Sequence, residues 1–188
     1  MKVALVVGHS PKDPGAVNEY KELTEFAFNK DLAKRIEQNW EDYSLTDELY
    51  IMYRETNYKD LPEQINATSP DLVVSLHANA FNGDASGCEM LYYHKSERSK
   101  TIASLFQTKI LGVLKNKNRG IVPRSSEDRG GYLLRFTNAP CVICEPFFLD
   151  NNSELELAIA SVKNNELVEA YCEAIAESVQ YLRQEHEA

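Results

Sequence analysis

Short apolar runs alternate with longer amphipathic segments along this chain. The clearest runs cover residues 2–7 (KVALVV), 72–76 (LVVSL) and 141–144 (CVIC). Continuous apolar runs of this length are typical of strands that are covered on both faces, as in a parallel sheet. We therefore predict buried strands over residues 2–7, 71–77 and 141–145.

Segments with apolar residues at helical spacing separate these strands. They predict helices over residues 20–40, 60–69 and 96–115, and two more after residue 150. Ser153 and Glu156 have the spacing of a capping box for the first of these two, and Asn165 is the expected cap of the second.

Further strands are expected over residues 49–54, 88–93 and 132–136, while residues 119–131 are rich in loop formers. Strands that alternate with helices predict an α/β fold. The expected architecture has three layers, with a twisted, mostly parallel sheet of about six strands flanked by helices on both faces.

A metal-binding or proton-transferring side chain follows each of the three buried runs: His9, His77 and Glu145. In a parallel sheet, the carboxyl ends of the strands meet at one edge, where ligands bind. A lone histidine at a strand end is more often a hydrogen-bonded structural residue than a ligand. A carboxylate directly after four apolar residues is harder to explain that way, because a buried unpaired charge is costly. Together the three residues favour a metal site.

Three acids, Glu19, Glu22 and Glu25, precede the apolar stripe of the helix predicted over residues 20–40. Carboxylates at a helix start commonly interact with the helix dipole, which is the structural alternative. On a helical projection, Glu25 falls within the buried stripe, Glu22 falls near its other side and Glu19 faces away. A carboxylate on a buried stripe needs a partner, and a metal ion would supply one.

Composition narrows the class of protein. The length of 188 residues predicts one domain, with a core over about residues 1–184. A net charge of −9 argues against binding to nucleic acid or to anionic surfaces. No apolar run is long enough for membrane insertion, and the first residues do not form a signal peptide. The four cysteines are expected to be buried, reduced thiols, with Cys141 and Cys144 on opposite faces of their strand.

Four segments of the chain carry a resemblance to a known family. They read VVGHSPKDPGAV, TEFAFNKDLA, DLVVSLHANAFNGDASGCEMLYY and NAPCVICEPFFLDN, in that order. The chain resembles the zinc-dependent N-acetylmuramoyl-L-alanine amidases of the type-three class, which are peptidoglycan hydrolases. The resemblance implies that His9, Glu25 and His77 bind one zinc ion per chain, and that Glu145 is the catalytic acid/base. Glu25 is preferred over Glu22 because the family's ligand glutamate is followed four residues later by asparagine, here Asn29.

The resemblance also implies hydrolysis of the amide between N-acetylmuramic acid and L-alanine in peptidoglycan. We expect a phage or prophage endolysin without a separate wall-binding domain, or alternatively a bacterial amidase whose leader has been removed. Such an endolysin would be a monomer that is made in the cytoplasm and acts on the wall after release. Asn79, Arg124 and Arg129 are the expected substrate-binding residues: Asn79 is expected to fix the loop after His77, and Arg124 or Arg129 to contact carboxylates of the stem peptide.

Two other functions remain open at this point. The chain could be a zinc amidohydrolase that acts on another peptide or acyl amide. It could also be a binding module that recognises glycopeptide without cleaving it. The presence of all four polar site residues argues against a binding module, because a decayed enzyme usually loses its acid/base first.

Overall fold

The computed structural model describes residues 1–187 and contains a six-stranded sheet between two layers of helices. In chain order the elements are β1 (Lys2–Val7), β2 (Val17–Asn18), β3 (Leu23–Thr24), α1 (Glu25–Asn39), β4 (Glu48–Tyr53), α2 (Leu61–Ala67), β5 (Leu72–Leu76), β6 (Cys88–Tyr93), α3 (Glu97–Leu114), β7 (Asn118–Arg124), α4 (Gly131–Phe136), β8 (Cys141–Glu145), α5 (Asn152–Lys163) and α6 (Glu166–Glu187). Single helical turns cover residues 40–42 and 58–60.

The strands of the sheet follow the order β4-β1-β5-β8-β6-β7. The strands β4, β1, β5 and β8 are parallel, whereas β6 pairs antiparallel with β8 and β7 pairs parallel with β6. The predicted α/β fold with a mostly parallel sheet of about six strands is therefore confirmed. The three strands predicted to be buried are central, and all residues of β5 and β8 are buried.

The two faces of the sheet have separate apolar cores. One core contains Leu5 and packs against α1, α3, α5 and α6. The other contains Ala4 and Val6 and packs against α2 and α4, through residues such as Ile65 and Leu133. Successive residues of β1 alternate between the two cores, because side chains along a strand point to opposite faces. This arrangement explains the apolar runs, since both faces of the central strands are covered.

The first helix begins later than the sequence predicts. Residues 17–24 form the β2–β3 hairpin, and α1 starts at Glu25 instead of near residue 20. Glu22 has a positive φ of 51°, which is incompatible with a helix there. The hydroxyl of Thr24 accepts a hydrogen bond from the Ala27 N–H and caps the helix.

Three other predictions of local structure are wrong. The predicted strand 132–136 is the helix α4, and the first half of the predicted loop 119–131 belongs to the strand β7. β7 lies at the edge of the sheet, which is where a strand tolerates a proline such as Pro123. The cap of α5 is Asn151, whose side chain accepts from two backbone N–H groups, and not Ser153.

All four cysteines are buried and free. Cys141 and Cys144 lie in the cores on opposite faces of the sheet, as expected for two residues at this spacing in a strand. Burial raises the pKa of the Cys141 thiol to about 12, which keeps it protonated at neutral pH. Within residues 1–187, no helix combines the length and the apolar character needed to cross a membrane.

Candidate metal centre and catalytic cleft

Four parallel strands end side by side at one edge of the sheet. The register pairs Val7 with Tyr53 on one side and with Leu76 on the other, and Leu76 in turn with Cys144. The residues that follow these pairs are Arg54, Gly8, His77 and Glu145, and His9 comes directly after Gly8. The sheet therefore assembles in one row the side chains that the sequence places at strand ends.

His9, Glu25 and His77 form a compact cluster at this edge. One nitrogen of each imidazole and one oxygen of the carboxylate all lie within 4.8 Å of one another. The Nε2 atom of His9 is 3.2 Å from Glu25 Oε2, and the Nδ1 atom of His77 is 2.9 Å from Glu25 Oε1. Glu25 is only 1% exposed, whereas both histidines are partly accessible. The structure thus brings together the three residues that the sequence analysis proposed as ligands.

Glu25 is held in place by two loops that are distant along the chain. Its backbone N–H donates to Ala16 O, and the Ala16 N–H donates back to Glu25 Oε2 at 3.1 Å. The Ala78 N–H donates to the other carboxylate oxygen, also at 3.1 Å. These bonds leave each oxygen with one backbone donor and one imidazole neighbour. The carboxylate is therefore fixed between the loop of one histidine and the loop of the other.

The histidines can approach Glu25 because two nearby residues are glycines and have no side chain. A Cβ atom on Gly15, which has a φ of +76°, would lie 2.6 Å from Glu25 Oε2 and 2.7 Å from His9 Cδ2. A Cβ atom on Gly8 would lie 2.6 Å from His77 Cε1 and 2.4 Å from the backbone oxygen of Leu76. Real Cβ atoms do not approach other heavy atoms this closely, so the cluster requires glycine at both positions.

The electrostatics of the cluster keep the carboxylate ionised. Burial raises the pKa of Glu25, but hydrogen bonds and charge interactions with His77 and His9 outweigh it and hold the pKa well below its usual range. Burial lowers the pKa of His9, but the hydrogen bond to Glu25 and the charges of Glu25 and Asp13 raise it above its ordinary value overall. An ionised carboxylate beside two imidazoles is a donor set that a divalent metal ion would stabilise.

The donor set fits a catalytic metal site. Two imidazole nitrogens and one carboxylate oxygen provide three protein ligands, and catalytic zinc sites characteristically have three such ligands and one open position. The compact span of the donor atoms allows all three to converge on one ion.

Glu145 ends β8 beside this cluster and is 3% exposed. Burial raises its pKa, while the charges of Arg129 and His77 lower it in part. The Nη2 atom of Arg129 is 3.5 Å from Glu145 Oε1. In the antiparallel register, Glu145 lies opposite Glu89, whose carboxylate is bound by Arg119 at 2.8 Å. Glu145 is therefore a buried carboxyl group with a pKa displaced towards neutrality, as suits a proton-transferring residue.

A cleft of about 400 Å³ opens beside the cluster and Glu145. Its walls come from the strand ends, from the turn that contains Tyr58, and from the loop around Arg129. The buried hydroxyl of Ser75 lies in its lining and has no hydrogen-bond partner among residues 1–187. A cleft next to a buried carboxyl group and a cluster of metal-competent side chains is the expected place for a substrate.

Arg54 also lines this cleft and was missed by the sequence analysis. Its Nη2 atom donates to Asp13 Oδ2 at 2.7 Å and to Ser10 Oγ at 3.3 Å. The other oxygen of Asp13 is 3.8 Å from Nδ1 of His9, the imidazole nitrogen that faces away from Glu25. Arg54 is the last residue of a predicted strand, but only the pairing of β4 with β1 places it beside Gly8.

The residues proposed to contact substrate are in different environments. Arg129 lines the cleft, whereas Arg124 does not. Asn79 is buried behind the cluster, where its side chain donates to Glu89 Oε1 at 3.0 Å and its backbone pairs with Phe147 and Leu149. These contacts fix the loop after His77 in the way the sequence analysis expected of Asn79.

Comparisons with known proteins point to one family. The family model described as N-acetylmuramoyl-L-alanine amidase matches residues 3–177. The N-acetylmuramoyl-L-alanine amidase LytC of Bacillus subtilis (strain 168) is 27% identical over 154 residues, which is 78% of this chain and 29% of that protein. The endolysin of Bacillus phage SPP1 is 31% identical over 186 residues, which is 93% of this chain and 65% of that protein. The chain thus spans less than two thirds of each of these relatives.

A solved structure has the same fold over nearly its whole length. The N-acetylmuramoyl-L-alanine amidase from Clostridium difficile 630 superposes with a TM-score of 0.81 and 25% sequence identity. The match covers 95% of this chain and 96% of that one.

Proposed function

The chain belongs to the N-acetylmuramoyl-L-alanine amidase family, and from this premise we propose that it is a zinc-dependent peptidoglycan amidase. The bond cleaved would join the lactyl carbonyl of N-acetylmuramic acid to the amine of L-alanine. The observation that carries this proposal is the row of side chains at the sheet edge. There the His9–Glu25–His77 cluster lies beside the buried carboxyl group of Glu145, next to a cleft.

His9, Glu25 and His77 would hold one zinc ion. A set of two imidazoles and one carboxylate favours zinc over the hard cations magnesium and calcium, which take mainly oxygen ligands. When bound, zinc supplies Lewis acidity towards the scissile carbonyl and acidifies water. The chain's own contribution is to fix Glu25 through the two loop N–H donors, so that both imidazoles are oriented before substrate binds.

Glu145 would act first as a base and then as an acid. As a carboxylate it takes one proton from the attacking water while the oxygen of that water bonds to the carbonyl carbon. As a carboxylic acid it then gives the proton to the departing nitrogen of L-alanine, and the C–N bond breaks. The raised pKa of Glu145 suits both steps, because it brings the two protonation states closer in energy near neutral pH.

The cleft would receive the stem peptide, with Arg129 in contact with its carboxylates. We propose that residues 1–188 form a single catalytic domain that functions as a monomer on the cell wall. The 31% identity to a phage endolysin supports a lytic setting. The buried acid/base argues against a binding module, since binding alone gives no reason to bury an ionisable carboxyl group beside a metal cluster.

The test is the release of new L-alanine amino termini from purified peptidoglycan, with and without a chelator and after zinc is added back. We expect release that the chelator abolishes and that zinc restores, without new reducing sugar ends. No release from several wall types, despite one bound zinc per chain, would refute the proposed substrate and favour a soluble peptide or acyl amide.

A further inference from the structure

Two aromatic side chains on the loops that adjoin His77 and Glu25 in the sequence are largely exposed. Phe81 is 80% exposed and lies four residues after His77. Tyr20 is 73% exposed and lies in the β2–β3 hairpin, which runs directly into Glu25. We call this pair the aromatic lip. Single exposed apolar residues are common on protein surfaces, so exposure alone does not identify a site.

The loop that displays Phe81 is tightly ordered. The backbone N–H groups of Phe81 and Gly83 both donate to Asp150 Oδ2 at 2.9 Å. The side chain of Asn82 accepts from the N–H groups of the two residues after Gly83. Four such bonds fix the backbone from which the Phe81 ring projects, which lowers the entropy cost of ordering this loop when a ligand binds.

The Tyr20 loop is attached to the same segment of the chain. The Asn18 side chain donates to Leu149 O at 2.9 Å and to Asn152 Oδ1 at 2.8 Å. Lys21 pairs with Glu156 at 2.9 Å, and its ammonium group lies 5.0 Å from the centre of the Tyr20 ring. Both loops of the lip are therefore anchored to residues 149–152, although they are about 60 residues apart in the sequence.

The cleft and the segment that anchors the lip belong to opposite faces of the sheet. The cleft is lined by Leu61 and Ile143, which belong to the core on the α2 and α4 face of the sheet. The lip is anchored to the segment after Phe147, which belongs to the core on the α1 and α5 face together with Leu149. A substrate that lies across the cluster therefore extends into an enclosed cleft at one end and onto open aromatic rings at the other.

We propose that Tyr20 and Phe81 bind the glycan strand of peptidoglycan, while the stem peptide occupies the cleft. This inference rests on the proposed function, because the scissile amide is the bond that separates glycan from peptide. A pyranose ring presents C–H groups that stack on the electron-rich face of an aromatic ring. A peptide fits a narrow cleft with polar groups such as Arg129 and Ser75. The enzyme would thus bind several sugar units in addition to the muramic acid at the scissile bond.

The test compares two substrates that differ only in the length of the glycan. One is a soluble oligomer of N-acetylglucosamine and N-acetylmuramic acid with intact stem peptides, and the other is a single N-acetylmuramic acid with the same peptide. We expect Phe81→Ala to raise KM for the oligomer about tenfold, with kcat within about twofold, as for loss of one aromatic anchor. KM for the single-sugar substrate should not change. Tyr20→Ala should also raise KM for the oligomer without changing KM for the single-sugar substrate, but by less than Phe81→Ala does.

Leu45→Ala is the matched control. Leu45 is 93% exposed but lies just before β4, at the opposite edge of the sheet from the cluster. This variant should leave both substrates unaffected. An equal loss on both substrates in Phe81→Ala would overturn the proposal, since it would mean that Phe81 contacts the muramic acid or the peptide. An unchanged KM for the oligomer would also overturn it.

Two conservative variants separate stacking from general apolar contact. Phe81→Tyr keeps the ring and should retain the KM of the parent protein, whereas Phe81→Leu keeps apolar volume without a ring and should resemble Phe81→Ala. A parent-like Phe81→Leu would overturn the stacking argument.

Binding can be measured without catalysis, using a peptide-free hexasaccharide of N-acetylglucosamine and N-acetylmuramic acid and NMR shifts of the Phe81 loop. Saturable shifts that Phe81→Ala abolishes would support the lip, and their absence in the parent protein would refute it. Failure of the proposed function gives a different result, because the parent protein would then release no L-alanine amine from either substrate.

Discussion

Two buried carboxylates in this protein are held by nearly the same kinds of hydrogen bonds but differ in their proposed roles. Glu25 and Glu154 lie in the first turns of α1 and α5 and are 1% and 7% exposed. Each accepts hydrogen bonds from two backbone N–H groups of separate loops. For Glu25 the donors are Ala16 and Ala78, at 3.1 Å each. Each carboxylate therefore connects loops that could not otherwise satisfy their N–H groups.

The remaining neighbours of each carboxylate distinguish the two sites. Glu154 accepts from the N–H groups of Gly87 and Phe148, and its third donor is the side-chain amide of Asn116 at 3.1 Å. For Glu25 the corresponding positions are taken by two imidazoles. An amide nitrogen does not bind metals, whereas an imidazole nitrogen does. Burial and backbone hydrogen bonds thus stabilise loops at both sites, and only the site of Glu25 also has the donor set of a metal centre.

Glu145 completes the comparison because it lacks such donors. Among residues 1–187 no side chain or backbone N–H donates a hydrogen bond to its carboxyl group, and Arg129 lies 3.5 Å from it. A buried carboxylate without donors does not stabilise its surroundings. Its position at a strand end beside the cluster is the one that the proposed proton-transfer role requires.

The largest expected effect is that of Glu145→Gln. We expect kcat to fall about 10²- to 10⁴-fold, because the proton-transfer group is lost. The zinc content should remain one per chain, since Glu145 is outside the ligand cluster. Amine release and metal analysis of the same preparation measure both quantities.

Glu89→Gln is the control for that variant. Glu89 is also buried and lies directly opposite Glu145 in the sheet, but its carboxylate is bound by Arg119 and Asn79. It should lose stability and keep most of its activity. Comparable losses of kcat in the two variants would contradict the role assigned to Glu145.

The second largest expected effect is a loss of zinc affinity in Glu25→Gln, and it tests the comparison of Glu25 with Glu154 directly. Glu25→Gln should weaken zinc binding by more than about 100-fold, because even changes outside the ligand set cost about 10- to 100-fold. Glu154→Gln should bind zinc normally and lose about 1–3 kcal/mol of unfolding free energy, because an amide nitrogen would face its N–H donors. Chelator competition and urea unfolding measure the two quantities. Similar zinc affinities in the two variants would remove Glu25 from the ligand set.

A smaller effect is expected from two glycines that share a backbone conformation. Gly15 and Gly83 have φ values of +76° and +81°, so alanine adds similar backbone strain at each. A Cβ atom at Gly15 would lie 2.6 Å from Glu25 Oε2, whereas at Gly83 the nearest atom is 3.8 Å away. Gly15→Ala should therefore weaken zinc binding about tenfold, and Gly83→Ala should not. Equal zinc affinities would mean that the cluster adapts to the added methyl group.

The sequence allowed prediction of the features that depend on burial of whole strands. His77 and Glu145 directly follow apolar runs, so their place at the sheet edge could be inferred from pattern alone. The position of Arg54 beside Gly8 depends on the pairing of β4 with β1, which is a non-local property. The sequence supplies no local signal for that order of strands.

The local sequence pattern predicted the wrong secondary structure at two places. Residues 132–136 are apolar and aromatic, which favours a strand, but their packing against α2 and the sheet makes them a helix. The acids before Phe28 resemble a first helical turn, yet Thr24 caps the helix and Glu22 has a positive φ. In both cases tertiary contacts outweighed local preference. The aromatic lip was likewise hidden, because only the fold brings Tyr20 and Phe81 to the same segment.

The smallest expected effect is that of Arg129→Gln on the pH dependence of kcat/KM. Burial raises the pKa of Glu145 and the charge of Arg129 lowers it in part. Arg129→Gln removes that charge, so the pKa of Glu145 should rise further. Because Glu145 must be ionised to accept a proton, the acid limb of kcat/KM should move to higher pH. The shift should be less than about one pH unit, since the Arg129 side chain is 59% exposed and screened by solvent.

Arg124→Gln separates this charge effect from a general change in net charge. Arg124 does not line the cleft, so its pH profile should match that of the parent protein. Profiles at low and high salt add a second check, because a through-solvent charge interaction weakens as ionic strength rises. The difference between Arg129→Gln and the parent should therefore shrink at high salt. A shift to lower pH, or equal shifts in the two variants, would mean that Arg129 does not act on Glu145. The pKa of Glu145 would then be set by burial and by the charges of His77, Glu89 and Glu25, and the contrast with the donor-rich site of Glu25 would become sharper.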